Sequence, residues 1–386
     1  MCAANLAILG YYKYAGLLTD LIRRTAHIAL PDPEIDLPIG ISFFTFQALS
    51  YTADVYRGDC DVQKNPFQLA LYISFFPQLI AGPIVKYRDV QEQIEHRNLS
   101  AQKMEEGIRR FIIGLGKKVL IANAAAGCAD GIYALKMQDV TWKLAAMASL
   151  CYSIQIYYDF SGYSDMAVGL GKMFGFEFRE NFDAPYTSCS IREFWRRWHI
   201  SLGSWFRDYV YIPLGGSRKG NARTYRNLLI VFFLTGLWHG AGYNYILWGL
   251  FHGLLIVLER AGLSKILKKN RGLSWLYAML AVNTGWILFR NENLSAAAGY
   301  IRRLLLPWHY QSGPVLLREY LNNYTASVLC IGVLGAVLTK RIPAVRKAAD
   351  RFEGSLAELA LLCAVLFLCF MSLASDTYNP FIYFQF

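Results

Sequence analysis

Six histidines are spread through the chain, and three of them sit where an imidazole is hard to explain as surface polarity. His239 and His252 lie inside one long apolar run, and His199 lies in the Arg- and Trp-rich stretch before it. An ionisable side chain at membrane depth is costly and is a functional hypothesis by default, the plain alternative being a neutral ring bonded to a backbone carbonyl. His27, His96 and His309 fall in polar or interfacial stretches and read as ordinary surface residues. Imidazole titrates near neutrality, so in a cavity it can take the proton of an alcohol that attacks an acyl carbonyl. A shared metal suits the pattern less well. His239 and His252 are separated by about 1300° of helical rotation, which leaves them roughly 220° apart on a straight helix. No HExxH and no adjacent carboxylate pair accompany them, so no metal site is expected. Gly236, Gly240 and Gly242 flank His239 and allow either a substrate or a neighbouring helix to come close. Trp238 and Trp248 are positioned to wall such a site.

A second polar cluster, YYDFSGYSDM, carries Asp159 and Asp165 with Ser161, Gly162 and Ser164 at the end of an apolar run. It lacks the GxSxG of a serine-hydrolase elbow, and its aspartates read first as partners for basic side chains or helix ends. Asp159 is retained as a candidate tunnel residue. ENFDAPY, residues 180–186, reads as a structured loop rather than a site. The eight cysteines are scattered without CxxC or zinc spacing and read as small buried hydrophobes.

The elements that must position these residues follow from composition. The 386 residues are 55% hydrophobic and 15% aromatic, with only 17% charged. A soluble domain carries about 25% charged residues, so this is a membrane composition. The formal charge of +11 comes from basic clusters between apolar runs. Such clusters belong to cytoplasmic loops and form no single face for nucleic acid. Membrane-spanning candidates are Ala3–Leu18, Ile39–Val55, Phe67–Val85, Ile108–Ala126, Trp142–Tyr158, Leu228–Leu258, Trp275–Phe289, Ser327–Leu338 and Leu356–Ala374. Several are short or carry Gly, Pro or Lys, as Ala3–Leu18 carries Lys13. The expected fold is therefore all-α: a polytopic helical bundle of short, tilted or re-entrant helices around an internal cavity, one membrane-embedded domain over residues 1–386. Tyr87–Lys103 reads as a polar surface helix and Ser190–Arg207 as an amphipathic stretch in the headgroup region.

Basic clusters at Ser217–Arg226 and Lys265–Arg271 flank Leu228–Leu258 and put both its ends on the cytoplasmic side. The run is about thirty residues, and two full crossings need about 40. A hairpin that enters and returns reconciles the two, with its break in GLWHGAGYN and His239 near the apex. A single long tilted helix is the alternative.

The segments GISFFTFQALSYTADVYRGD, LYISFFPQLIAGPIVKY, YYDFSGYSDMAVGLGKMFGF, ENFDAPY, FWRRWHISLGSWFRDYVYIPLGG, LTGLWHGAGYNYILWGLFHG and NPFIYFQF resemble, in order, the alginate O-acetyltransferase branch of the membrane-bound O-acyltransferase superfamily. The resemblance implies a multi-pass bundle in the cell membrane, pierced by a tunnel. An acyl thioester, acetyl-CoA among the candidates, would be the donor on the cytoplasmic side, with no bound cofactor. The acceptor would be an exported polysaccharide, reached directly or through an extracytoplasmic esterase-like acetyltransferase partner. The catalytic histidine of the superfamily maps to His239 and its second polar position to His199. Trp195, Arg196, Arg197 and Trp198 would then shape the entrance, with Trp238 and His252 along the tunnel. Relatives carry further hydrophobic segments before the stretch matching NLAILGYYKYAGLL, so the resemblance implies a shortened N-terminus. Whether His239 acts as general base or carries the acyl group stays open on sequence. The sister branch that moves D-alanine onto teichoic acid is one rival. A polysaccharide transporter or inactive scaffold is another, although a transporter predicts internal repeats and the sequence has none.

Overall fold

Lipid reverses the usual amphipathic rule, and the helices obey the reversed one. Tyr243–Leu258 turns Leu247, Leu250, Leu254 and Leu258 outward and buries Tyr245, Trp248, Gly249, His252 and Gly253. Small and polar residues face the bundle because hydrocarbon solvates leucine well and a ring nitrogen poorly. The computed structural model describes residues 1–33, 35–79, 82–338, 347 and 351–375. NPFIYFQF, residues 379–386, lies outside the described residues. Helices account for the regular structure, and no strand occurs among the described residues.

In chain order the main helices are α1 (Cys2–Ala26), α2 (Ile41–Arg57), α3 (Ala101–Tyr133) and α4 (Trp142–Met173). Two short helices follow, α5 (Ile191–Arg197) and α6 (Ile200–Phe206). Then come α7 (Asn221–His239), α8 (Tyr243–Leu258), α9 (Arg271–Arg290), α10 (Leu294–Leu305), α11 (Asn323–Leu338) and α12 (Leu356–Ser375). By length and hydropathy, α3, α9, α12 and the helical segment Tyr243–Leu267 suffice to cross a bilayer. The expected span over Phe67–Val85 is broken: a helix over Pro66–Ser74 stops at extended Phe75, and a four-residue helix follows. Tyr87–Glu95 forms the expected polar helix, and Ser100 caps α3 by accepting from the Lys103 amide.

The bundle is built around α4, whose 32 residues span about 48 Å at helical rise and are buried along most of their length. Its closest neighbour is α3. The two backbones touch at two levels seven residues apart: a Cβ on Gly114 would lie 2.6 Å from the Gly162 carbonyl, and one on Gly107 would lie 2.7 Å from that of Gly169. Between these levels and the far end of α3, a π-helical turn at Lys117–Ala122 offsets the helix. That turn brings Lys118 onto Asp159 and Lys117 onto Asp165, which Arg110 also meets at 2.6 Å. The aspartates thus do what their plain reading held, neutralising cations of the adjacent helix. Breaking such a buried pair from one side costs about 3–5 kcal/mol.

The hairpin expected around His239 is present, and it is deeper than expected. α7 begins at Asn221 inside the basic cluster, and its partner helix continues past Leu258 as a π-turn and a short helix to Leu267. The basic flanks are themselves helical, so each arm reaches about 28 Å or more without a longer apolar run. Ser190–Arg207 is amphipathic as expected, and its apolar face packs against protein. Phe194, Trp198, His199, Leu202, Trp205 and Phe206 are buried, and only one side, with Arg192, Arg196 and Arg207, stays exposed. The aromatic residues of this stretch find a protein interior to fill, which gains more contact than a lipid surface.

Close backbone contact between α3 and α4 gives a direct test. Gly114→Ala pushes a methyl into the Gly162 carbonyl and should lower the melting temperature of the solubilised protein, at a cost of about 1–3 kcal/mol. Gly127→Ala, where an added Cβ meets nothing within 4 Å, should leave it unchanged or slightly raised.

Candidate active site

His239 is the last residue of α7, and the chain turns through Gly240–Gly242 before α8 begins. Its Nδ1 lies 2.7 Å from the Thr235 carbonyl one turn back. A carbonyl only accepts, so Nδ1 carries the hydrogen and Nε2 is the basic nitrogen of the neutral ring. Trp238 and Trp248 stand edge-on at 4.8 Å and Phe289 at 5.4 Å between ring centroids. The two tryptophans wall the site as the sequence suggested. The glycines serve the other of their two possible uses. A Cβ on Gly236 would strike the Tyr245 carbonyl, one on Gly249 the Phe232 carbonyl, and one on Gly240 the Tyr245 ring. They let the hairpin arms close on each other.

His199 reaches the same centre from another direction. It caps α6 with φ 46 and ψ 56, a left-handed conformation uncommon for a residue with a side chain. The strain is held by the loop 180–184: Asn181 accepts the Ile200 amide on its carbonyl at 3.0 Å, and Asp183 donates to the Arg197 carbonyl at 2.9 Å. Asn181 Oδ1 accepts from the Ser201 amide at 3.2 Å and the Ser201 hydroxyl at 2.9 Å. The same oxygen lies 3.1 Å from His199 Nδ1, which must therefore be the donor. His199 and His239 both present Nε2 as their basic nitrogen. Phe160 meets His199 edge-on at 4.6 Å, and Trp238 lies against both imidazoles.

Two anchors fix α6. Trp205 stacks on Phe46 at 3.8 Å and donates to its carbonyl at 3.0 Å. Lys86 donates to the Ser204 hydroxyl at 2.7 Å and to Asp208 at 2.6 Å. Burial alone would raise the Asp208 pKa, but its bonds with Lys86 and Arg207 hold it below the usual carboxylate range. α5 has its own anchor: the Glu259 carboxylate accepts the amides of Ile191 at 2.6 Å and Arg192 at 3.1 Å. An acidic group there complements the positive end of the helix.

A cavity of about 1240 Å³ opens beside α5 and runs inward between α6, α7 and the end of the hairpin. Its rim carries Arg192, Arg196, Arg207, Arg260, Lys268 and Arg271 against Asp183, Glu193 and Glu259. Its wall includes Trp195, His199 and Thr235, the residue that holds His239. Arg197 lines it too, tied to Glu193 at 2.9 Å. Lys268 and Arg271 of the rim belong to one of the two clusters that the sequence puts on the cytoplasmic side.

Other candidates lie elsewhere. Trp198 is buried among Phe182, Phe194 and Trp286, behind the cavity wall. His252 is 0% exposed, against Trp195 and Trp248, and neither of its ring nitrogens has a hydrogen-bond partner among the described residues. Asp159 faces Lys118 instead of the cavity. Among the described residues, no three His, Cys, Asp or Glu side chains gather as a metal site would need. Sequence reasoning missed Asn181 and Thr235. Asn181 was visible only as part of a structured loop, and Thr235 gave no signal because its carbonyl does the work.

A helical membrane bundle with two buried, oriented imidazoles, one lining a basic-rimmed cavity and the other held by Thr235 of its wall, points to the class of membrane acyl-transfer proteins. Residues 60–289 match the membrane-bound O-acyltransferase family, MBOAT, and the chain belongs to that family of integral membrane proteins. It is 41% identical to the probable alginate O-acetylase AlgI of Pseudomonas putida, over 99% of this chain and 82% of that one. It is 48% identical to the probable alginate O-acetylase AlgI of Azotobacter vinelandii, over 76% of this chain and 59% of that one. The peptidoglycan O-acetyltransferase of Helicobacter pylori is 37% identical over 78% of this chain and 63% of its own length. Apart from the Pseudomonas putida protein, the chain thus spans less than two thirds of these relatives.

Asn181 is the checkable keystone of the loop. Asn181→Leu leaves the His199 ring and the Ser201 amide without their acceptor, and unmet buried donors cost about 1–3 kcal/mol each. The solubilised variant should melt lower than wild type, whereas Asn98→Leu in an exposed turn should not.

Proposed function

We propose that the protein transfers an acetyl group from a cytoplasmic thioester, acetyl-CoA, to a hydroxyl on the outer side of the membrane, and that His239 is the general base. The observation that carries this reading is the Nδ1 bond to Thr235, which leaves Nε2 as a base at the apex of a hairpin beside a basic-rimmed cavity. Coenzyme A is polyanionic, and arginines at the rim suit its phosphates. Its acyl arm is narrow and uncharged, which suits a passage walled by Trp195 and Phe232.

In the reaction the hydroxyl oxygen attacks the thioester carbonyl carbon while its proton passes to His239 Nε2. A C–O bond forms, the C–S bond breaks, and the proton moves on to the departing thiolate. His199, with its hydrogen on Nδ1, has no N–H left to give the carbonyl oxygen, so it does not polarise the carbonyl. The alginate and peptidoglycan acetylases among the relatives support an exported polysaccharide as final acceptor. The acetyl group reaches it directly or through an extracytoplasmic esterase-like partner. The teichoic acid D-alanyltransferase of Bacillus subtilis is 31% identical over 56% of this chain, a lower likeness that favours acetyl over D-alanyl transfer.

In a deletion strain, complementation with wild type should restore acetyl esters on the exported polysaccharide, and equally abundant His239→Ala should not. Restoration by both would end the assignment. Reversing charge at the rim with Arg192→Glu and Arg196→Glu should raise KM for acetyl-CoA by about tenfold with little change in kcat, as loss of uniform binding does. An unchanged KM would move the donor elsewhere.

A further inference from the structure

Lys13 is the one charged residue of the apolar stretch Ala3–Leu18, and the reaction above leaves it without a role. α1 buries little against the bundle; Leu9 is its only buried residue among those described. Its attachment to the hairpin is polar and specific. Lys13 Nζ donates to the Trp238 carbonyl and, at 2.9 Å, to the Ser42 hydroxyl at the start of α2. Next to it, Tyr14 donates to the Leu237 carbonyl at 2.8 Å. Nζ also lies 5.8 Å from the centre of the Trp238 ring. Two consecutive residues of α1 therefore grip two consecutive carbonyls of α7, immediately before His239. No carboxylate among the described residues lies within ion-pair distance of Lys13.

A purely mechanical anchor would not need an ammonium, since Tyr14 does the same work beside it with a hydroxyl. A charge at this depth is costly. Its offset here is the negative end of α7, whose terminal carbonyls it meets directly.

We propose that Lys13 is a positioning residue of the acyl-transfer centre, holding the last turn of α7 so that the His239 imidazole keeps its bearing on the thioester. The inference rests on His239 being the base. A displacement of a reacting group by about 1 Å costs about 10²-fold in rate, which sets the expected effect. The test uses membrane vesicles carrying equal amounts of the full chain and the host's polysaccharide machinery, supplied with labelled acetyl-CoA on the cytoplasmic face. Lys13→Met should lower the maximal rate of polysaccharide labelling about 10²-fold and leave KM for acetyl-CoA within about twofold. Lys13→Arg, which keeps the charge and the donors, should return the rate to within about tenfold of wild type. Melting of the solubilised Lys13→Met protein should match wild type. The proposal is overturned by an unchanged rate in Lys13→Met, by a rise in KM in place of the fall in rate, by arginine doing no better than methionine, or by melting that falls in step with activity. His239→Ala, run alongside, separates the two readings. If it keeps wild-type rate, the assignment of the base fails first; if it is inactive while Lys13→Met is not, only the positioning role fails.

Discussion

The C-terminal end of α7 stops inside the protein, and the rest of the structure is arranged around that stop. The last four carbonyls of any helix lack intrahelical partners, and in a bilayer interior water does not supply them. Here Gly236 accepts the Gly240 amide at 3.3 Å, Leu237 accepts the Tyr14 hydroxyl, and Trp238 accepts the Lys13 ammonium. One turn earlier, Thr235 accepts the His239 ring. The same requirement that keeps a buried helix end from being orphaned therefore fixes the tautomer of one imidazole and recruits α1 to the site.

Closing the hairpin imposes the next constraint. α7 must turn back within three residues, so α8 presses on it where Gly236 and Gly249 remove side chains from the interface. With the arms that close, the large rings must go elsewhere, and Trp248 and Phe289 fill the space around His239. The second imidazole arrives from a different part of the chain because a helix end offers only one residue at its apex. It costs a left-handed residue at position 199, which the Asn181 loop holds through three hydrogen bonds on a single oxygen.

Much of this was legible in the sequence, and what was not shares a cause. A histidine inside an apolar run is conspicuous, and two basic flanks around too short a run imply a hairpin; both readings use neighbours along the chain. Lys13 and Trp238 are 225 residues apart, and the Asn181–His199 pair depends on a loop folding back. No local pattern reports such contacts. The glycines near His239 were ambiguous because a missing Cβ looks the same whether a ligand or a helix takes its place. Ser190–Arg207 was read as lying flat because its periodicity shows an apolar and a basic face, and periodicity is silent on whether lipid or protein covers the apolar one. The arms of the hairpin proved longer than their apolar core because a basic residue at a helix end remains compatible with helix.

Both imidazoles are oriented by uncharged acceptors, a backbone carbonyl and a side-chain amide, where many hydrolases use a carboxylate. The two aspartates on α4 are already engaged by Lys118, Lys117 and Arg110. A neutral acceptor fixes the ring equally well, but stabilises the imidazolium less once it takes a proton. On the proposed reaction this is a tolerable loss, because a thioester expels a thiolate that can accept the proton at once. The positive ring then exists only while the C–S bond is breaking. A poorer leaving group, such as the alkoxide of an oxygen ester, would hold the imidazolium longer in surroundings that do not favour it, so the proposed thioester donor is the one that suits an uncharged support of the imidazole.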